Sequence, residues 1–463
     1  MAADVALAAR ASAQGLALRR QRRLIELLRT AAERSPLYRR LLAGRAPERW
    51  SLADLPAVRK PDLMASFDDW VCDPQLKLAA LEDFIARRET LAEPFLGRYV
   101  VWESSGSSGE PGIFVQDDAA MAVYDALEAM RRPVLHPGRR LLDPWYWRER
   151  IAFIGAVDGH FASTVTVERL RRLNPSLSER LRGLSFLKPM SRMVAELQDF
   201  NPTIITTYPS QAQALAQEQR AGRLRLQLQE IWTGGEGMTQ GVRREVQEAF
   251  GCPVVNSYGA SEFLPLAAEC EFAQLHLNSD WVILEPVDEQ GRALPAGLAG
   301  ATTLLTNLAN RVQPLIRYDL GDQVAVRAGR CECGSPLPVI EVQGRCDDIL
   351  HLGATASSAV AVLPLAVSTV LEHDAGLYDF QLVQQGPGEL LLRTPARGEA
   401  AAQHLRRARD VLAGFLLRKG AGEVHIHCRS GEPMARARSG KVQRIVAWHP
   451  DGAPHRHAEA ALS

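Results

Sequence analysis

The sequence predicts an α/β protein with a large N-terminal domain of mainly parallel, helix-covered sheets, a β-rich subdomain within it, and a small α+β C-terminal domain. Three observations carry this. From Arg98 to about residue 270, short apolar strands alternate with amphipathic helices, the pattern of a parallel sheet with helices packed on it. From Leu277 to Arg327 strand patterning rises while helical periodicity fades. After Gly344 the pattern changes again, to a hairpin and a long helix.

The first segment reads as helices: Leu16, Leu18, Leu24, Leu27 and Leu28 recur at helical spacing, and Ser35-Pro36 breaks the run. A second helical stretch spans Leu76 to Arg88. RYVVW and IFVQD are strands around the loop SSGSSGEPG. Then come strand IAFIGAV (Ile151–Val157), strand TIITTY (Thr203–Tyr208), helix SQAQALAQEQRAG, strand EIWTGG, helix GVRREVQEAFG and strand PVVNSYG. In the last unit, helix LAVSTVLEH leads to the hairpin DFQLVQQGPGELLLRT with a Gly-Pro-Gly turn. A helix over Glu399–Arg418, a strand over Glu423–Cys428 and a polar loop with Lys441 follow. The boundaries expected are 1–346, 347–449 and a frayed tail over 450–463.

Apolar residues are 46% and charged residues 23% of 463, an ordinary globular balance, and 54 Lys+Arg meet 54 Asp+Glu. No net field therefore steers the chain to nucleic acid or acidic membranes. The basic run Arg19–Arg23 lacks interleaved aromatics for base stacking and reads as a solvated helix face. No apolar run approaches the roughly 20 residues that span a bilayer. The opening MAADVALAARASAQ has Asp4 and Arg10 where a signal peptide needs unbroken apolar residues. A cytoplasmic protein without nucleic-acid or membrane partners is the expectation. Seven cysteines, mostly single, argue against a disulfide framework.

Five segments can carry chemistry. Ser104-Ser105-Gly106-Ser107-Ser108-Gly109-Glu110-Pro111-Gly112 offers hydroxyls and close backbone approach to phosphate oxygens. It is no P-loop, because a strand follows it and no Lys is present. Asn256-Ser257-Tyr258-Gly259-Ala260-Ser261-Glu262 places an aromatic face, a hydroxyl and a carboxylate at a strand's carboxyl end, where ligands of parallel sheets bind. Pro314-Leu315-Ile316-Arg317-Tyr318-Asp319-Leu320-Gly321-Asp322 ends on an aspartate suited to two ribose hydroxyls. Gly344-Arg345-Cys346-Asp347-Asp348 sits at the domain change, and Arg438-Ser439-Gly440-Lys441 on a late loop. Alone, each is compatible with an ordinary turn.

Together and in this order they resemble the adenylate-forming superfamily of acyl-CoA synthetases, adenylation domains and luciferases. The opening RSPLYRRLL, SLADLPAVRKPDL, the run LTNLANRVQPLIRYDLGD and VQGRCDDIL are similar to the phenylacetate-CoA ligase branch, across nearly the whole chain. The resemblance implies ATP- and Mg²⁺-dependent activation of a carboxylic acid, aryl or arylalkyl, to an acyl-AMP, then transfer to CoA. Ser104, Ser105, Gly106, Ser107, Ser108 and Gly109 would hold phosphates. Gly235, Glu236, Tyr258, Gly259, Ser261, Asp322 and Arg345 would complete the nucleotide site. Glu262 would hold Mg²⁺, Asp347 would be the hinge of a mobile C-terminal domain, and Lys441 would bridge carboxylate and α-phosphate.

Two departures stand out. Glu110 replaces the family's loop lysine, and HLGATASSAVAVLP follows Asp348 where relatives read close to Gly-x-Asn-x-x-Pro. Transfer to a carrier protein or an amine instead of CoA stays open, as does a nucleotide-binding regulatory protein that kept the fold but lost turnover. A homodimer is compatible with the sequence, which does not decide it. Cys270, His276, Cys331 and Cys333 could form a tetrahedral zinc set, although C-x-C is tighter than usual spacing. Some relatives resemble the chain in carrying this set around structural zinc. Tyr208, Trp232 and Phe263 are candidates for the acyl-pocket wall.

Overall fold

A computed structural model describes residues 1–43, 51–104, 112–132, 143, 148–157, 159–186, 188–345, 349–353, 360–362, 364–421, 424–434 and 442–448. A nine-stranded sheet forms its centre. Five strands run parallel, in the spatial order Leu181–Ser185, Ile151–Gly155, Ile204–Thr207, Glu230–Gly234 and Val254–Ala260. Helices Ala162–Leu173, Met190–Phe200, Pro209–Arg220 and Gln240–Phe250 connect them. Four antiparallel strands then extend the same sheet: Phe263–Glu269, Leu275–Leu277, Val339–Arg345 and Asp322–Val326. The β-rich segment is thus partly a continuation of the central sheet. Only Val282–Val287, Thr302–Asn307 and Tyr318–Asp319 form a separate three-stranded sheet.

Local chemistry sets the boundaries. Ser35 ends the helix Ala13–Arg34 and caps the next, its Oγ accepting from the Tyr38 amide at 3.3 Å with Pro36 at the first helical position. Thr239 caps Gln240–Phe250 through the Val242 amide at 3.3 Å, and Gly251, in the left-handed region at φ 64°, ends it.

The apolar cores divide along the chain. Two core clusters draw their members from Val5 to Ile340, whereas a third runs from Leu350 to Ala447. That third core lies among Gln381–Gly386, Glu389–Thr394, His425–Ser430 and Ile445–Val446, a four-stranded sheet with helix Glu399–Arg418 packed on it.

One expectation fails here. Arg23 is not on a solvated face: it is 6% exposed, ion-paired to Asp4 and Asp280, with its guanidinium 3.4 Å from the Trp281 ring centroid. Arg131 also meets Asp280, at 2.7 Å. Partners 257 residues apart convert an apparently solvated arginine into a buried tie between the first helices and the sheet. No described helix is long and apolar enough to cross a membrane.

Candidate active site

The carboxyl ends of the parallel strands, the stem of the serine-rich loop and the Pro314–Asp322 run converge. The stem is the hairpin of Tyr99–Glu103 and Ile113–Asp117, closed where the Ser104 amide donates to Gly112 O and the Gly112 amide to Ser104 Oγ, both at 2.8 Å. Trp102 Nε1 donates to Ser261 O at 2.9 Å, tying this stem to the Tyr258–Glu262 segment. Gln313 grips the other stem strand like an added strand: its amide oxygen accepts from the Val115 amide and its nitrogen donates to Ile113 O, at 2.8 and 2.9 Å. Ser105, Gly106, Ser107, Ser108, Gly109 and Glu110 lie outside the described residues, as do Asp347 and Lys441.

The Pro314–Asp322 run is held from behind by the N-terminal segment. The Ile316 amide donates to Tyr38 Oη at 3.2 Å, Trp70 Nε1 donates to Pro314 O at 2.6 Å, and Val58 bridges to Tyr318. Arg317 adopts φ 51°, a costly region for a residue with a side chain. Its backbone amide bonds Thr306 Oγ1 at 3.0 Å and its guanidinium bonds Leu55 O at 2.5 Å, which offsets that strain. Tyr318 thereby reaches Glu262 and Asp322 reaches Tyr258. The opening motifs of the sequence therefore act structurally, as a cradle for this run.

Tyr258 Oη donates to Asp322 Oδ2 at 2.5 Å, and Arg345 Nη1 stands 3.3 Å from Asp322 Oδ1. Tyr318 Oη donates to Glu262 Oε1 at 2.7 Å, while Asn307 Nδ2 holds the Glu262 carbonyl at 2.9 Å. Burial pushes the Glu262 carboxyl above the ordinary carboxylate range; the Tyr318 hydroxyl opposes this, and nearby Asp322 adds to it. Burial, with the adjacent Asp322 carboxylate, also raises the Tyr258 phenol well above its ordinary value. A cation beside Glu262 would favour the ionised carboxylate, so this donor suits a hard divalent ion.

The hairpin bearing these groups admits only glycine at 259, where an added Cβ would fall 2.0 Å from Leu264 O. A buried ion pair braces it: Arg243 Nη2 meets Glu269 Oε1 at 2.5 Å, and Glu269 Oε2 accepts from the Asn256 amide at 2.7 Å. Gly235, at φ 78°, turns the chain after Glu230–Gly234. The Glu236 carboxylate that follows accepts from the Ser210 amide, from Ser210 Oγ and, at 2.8 Å, from the amide of Val442 in the C-terminal unit.

A cavity of about 20 Å³ lies between the end of helix Asp118–Arg131 and strands 230–234, 254–260 and 263–269, lined in part by Arg132, Trp232, Asn256 and Ser257. Trp232 lines this cavity, which has room for about one water, and stacks 3.9 Å from the Arg132 guanidinium. Phe263, fully buried and edge-on to Tyr124 at 5.0 Å, is core, and Tyr208 packs against Phe186.

Cys270, His276, Cys331 and Cys333 come together with their donor atoms all within 4.8 Å. Cys270 Sγ and Cys331 Sγ are 3.8 Å apart, matching the edge of about 3.8 Å that Zn–S bonds of about 2.3 Å give a tetrahedron. Cys333 Sγ is 3.2 Å from His276 Nε2. His276 Nδ1 lies 2.9 Å from Leu337 O, a group that only accepts, so the proton sits on Nδ1 and the Nε2 lone pair faces the thiols. Burial pushes the Cys333 thiol up to about 12.

Sequence reasoning missed Tyr318, Trp102, Asn307 and Gln313. Tyr318 lies four residues before Asp322 in the same run, which was the available signal; the other three act through backbone atoms of distant segments.

The AMP-binding enzyme family matches residues 182–299. A phenylacetate-coenzyme A ligase of Thermus thermophilus is 28% identical over 389 residues, covering 80% of this chain and 78% of that enzyme. A second, of Pseudomonas putida, is 30% identical over 176 residues, 34% of this chain and 37% of that enzyme. A 2-hydroxyisobutyryl-CoA ligase in the postadenylation state superposes with TM-score 0.66 at 21% identity, covering 93% and 89% of the two chains. The same ligase in the thioesterification state gives 0.53 at 22% identity, covering 92% and 88%. The chain is therefore similar to phenylacetate-coenzyme A ligases along most of its length and to AMP-binding enzymes over residues 182–299, and it shares the fold of a CoA ligase.

Proposed function

We propose that the protein activates a carboxylic acid with ATP as an acyl-AMP and passes the acyl group to CoA. A carboxylate oxygen attacks the α-phosphorus, the bond from that phosphorus to the bridging oxygen breaks, and pyrophosphate leaves. The CoA thiol then adds to the acyl carbonyl, losing its proton, and AMP departs. Both partners of the first step are anions, so catalysis rests on alignment and charge neutralisation.

The observation that carries the reading is the meeting of Tyr258, Asp322 and Glu262, from segments some 60 residues apart, at the carboxyl ends of parallel strands beside the serine-loop stem. In this reading Asp322, oriented by Tyr258 and Arg345, accepts the ribose hydroxyls, and the Tyr258 ring packs on adenine. Gly235, Gly259 and Ser261 shape the nucleotide pocket with Glu236. The Ser104–Gly109 loop holds the β- and γ-phosphates. Glu262 would hold Mg²⁺, which supplies positive charge to the phosphate oxygens. Lys441 places its ammonium between carboxylate and α-phosphate.

The break between the apolar core of Leu350–Ala447 and the others, whose members all precede residue 345, supports domains 1–346 and 347–449 with a hinge at Asp347. The four-donor cluster supports a structural zinc, which would fasten Cys270 and His276, around strand Leu275–Leu277, to the Cys331–Cys333 loop between strands Asp322–Val326 and Val339–Arg345, and leave the chemistry alone. Similarity to phenylacetate-CoA ligases favours an aryl or arylalkyl acid. The chain works as a cytoplasmic enzyme, alone or as a homodimer, and a carrier protein or amine is the alternative acceptor.

Pyrophosphate release over a panel of carboxylic acids, followed by thioester formation on adding CoA, tests the reading. ATP binding without pyrophosphate from any acid would favour the regulatory alternative.

A further inference from the structure

We propose that the first turn of helix Gln240–Phe250 is a docking pad that fixes the C-terminal unit in the orientation for adenylation, with Gly241, Tyr378 and Glu236 as its positioning residues. The proposal rests on the adenylation reading above and deepens it.

Three contacts between the units meet here. An added Cβ on Gly241 would fall 2.3 Å from Tyr378 Cε1 and 3.2 Å from Glu372 Oε2, so the C-terminal unit occupies the space a side chain would need. Glu372 is 1% exposed and paired to Arg444 at 2.5 Å. Its other oxygen, Oε2, makes no hydrogen bond among the described residues and faces this turn. The helix has no acidic residue of its own in the first turn, so Glu372 brings the negative charge that a helix N-terminus favours. Arg444 in turn donates to Tyr378 O at 2.6 Å and stacks 4.3 Å from Phe380, which fixes where the Tyr378 ring is presented.

The third contact is Glu236, five residues before Gly241. It receives the Val442 amide while gripping Ser210. Val442 directly follows Lys441 in the chain, so this bond ties the residue next to that lysine to the N-terminal unit. The pad also explains a glycine in the first turn of a helix, where its extra conformational freedom is not needed. Gly241 lies within a helix and is not among the glycines with positive φ, so the approach of Tyr378 and Glu372, and not its backbone, requires it.

The test separates the half-reactions. Gly241→Ala should slow pyrophosphate release from ATP plus acid by about tenfold, within the 5- to 150-fold range of typical coupling between two states. Thioester formation from supplied acyl-AMP and CoA should change by less than about twofold, since that step does not need this dock. Tyr378→Ala in the Gly241→Ala background removes the clash, so the double variant should be no slower than Tyr378→Ala alone. Glu236→Ala should mimic Gly241→Ala in slowing adenylation, and Glu236→Gln, which keeps an acceptor, should recover most of the loss.

Equal losses in both half-reactions, or none in either, would overturn the proposal. A wild-type chain that releases no pyrophosphate with any acid tried would instead sink the functional reading. The dock then answers to small-angle scattering: Gly241→Ala should shift the radius of gyration from the wild-type value, and identical curves overturn it.

Discussion

Replacing Asp322 with alanine should cost ATP use in a way that can be traced to two hydroxyl groups. The carboxylate is 8% exposed and already satisfied on its protein side by Tyr258 Oη at 2.5 Å and Arg345 at 3.3 Å. Hydrogen bonds to a charged group contribute about 1.5–3 kcal/mol each. Two ribose hydroxyls sharing one carboxylate are not additive, so the lower bound, about 3 kcal/mol or on the order of 10²-fold in kcat/KM for ATP, is the expected loss. The assay is pyrophosphate release with ATP and with 2′,3′-dideoxy-ATP. Wild type should favour ATP by that same factor, and Asp322→Ala should use both nucleotides equally. If the variant still discriminates as wild type does, the hydroxyls are bound elsewhere and the placement of the nucleotide is wrong. Since the substitution also leaves Arg345 without this partner, a thermal melt must show that the variant is folded.

Other outcomes follow from the same geometry. Because burial raises the Glu262 carboxyl, kcat/KM for ATP should fall on the acid side at a pH above 4.5, and Tyr318→Phe, which removes the hydrogen bond holding that value down, should move the limb higher still; a limb at or below 4.5 in wild type contradicts the assignment. For stability the sign is opposite: a carboxyl with a raised folded pKa folds best protonated, so its contribution is present below 4.5 and is lost as pH rises through the folded value. Purified protein should hold one zinc per chain; a site saturated a thousandfold above its Kd contributes about 4 kcal/mol, so Cys331→Ser should lose the metal and lower Tm, and metal-free protein with an unchanged melt removes the idea.

The strand–helix alternation from Ile151 to Gly259 was legible because its strands are mostly buried, apart from exposed Arg182 on the edge strand Leu181–Ser185, and its helices bury apolar residues on the side packed on the sheet. Helix Glu399–Arg418 was placed at its observed bounds. Less legible was the sheet's continuation through Leu275–Leu277, Val339–Arg345 and Asp322–Val326, since pairing between strands tens of residues apart leaves no local pattern. Arg23 was misread for the same reason: its neighbours in sequence are arginines, while its partners in space are Asp4, Asp280 and Trp281. In the candidate site, Tyr258, Asp322 and Glu262 were legible from motif order, and their convergence is seen directly. Glu236 was read only as a nucleotide contact; its bond to Val442 depends on how two units meet, which no local motif encodes.

The most direct measurement is the rate of acyl-AMP synthesis by Lys441→Ala with an acid that wild type accepts. Removing one charged group from the transferring centre should slow that step by about 10²–10³-fold, or roughly 3–4 kcal/mol, while ATP still binds. Synthesis at the wild-type rate would contradict the account.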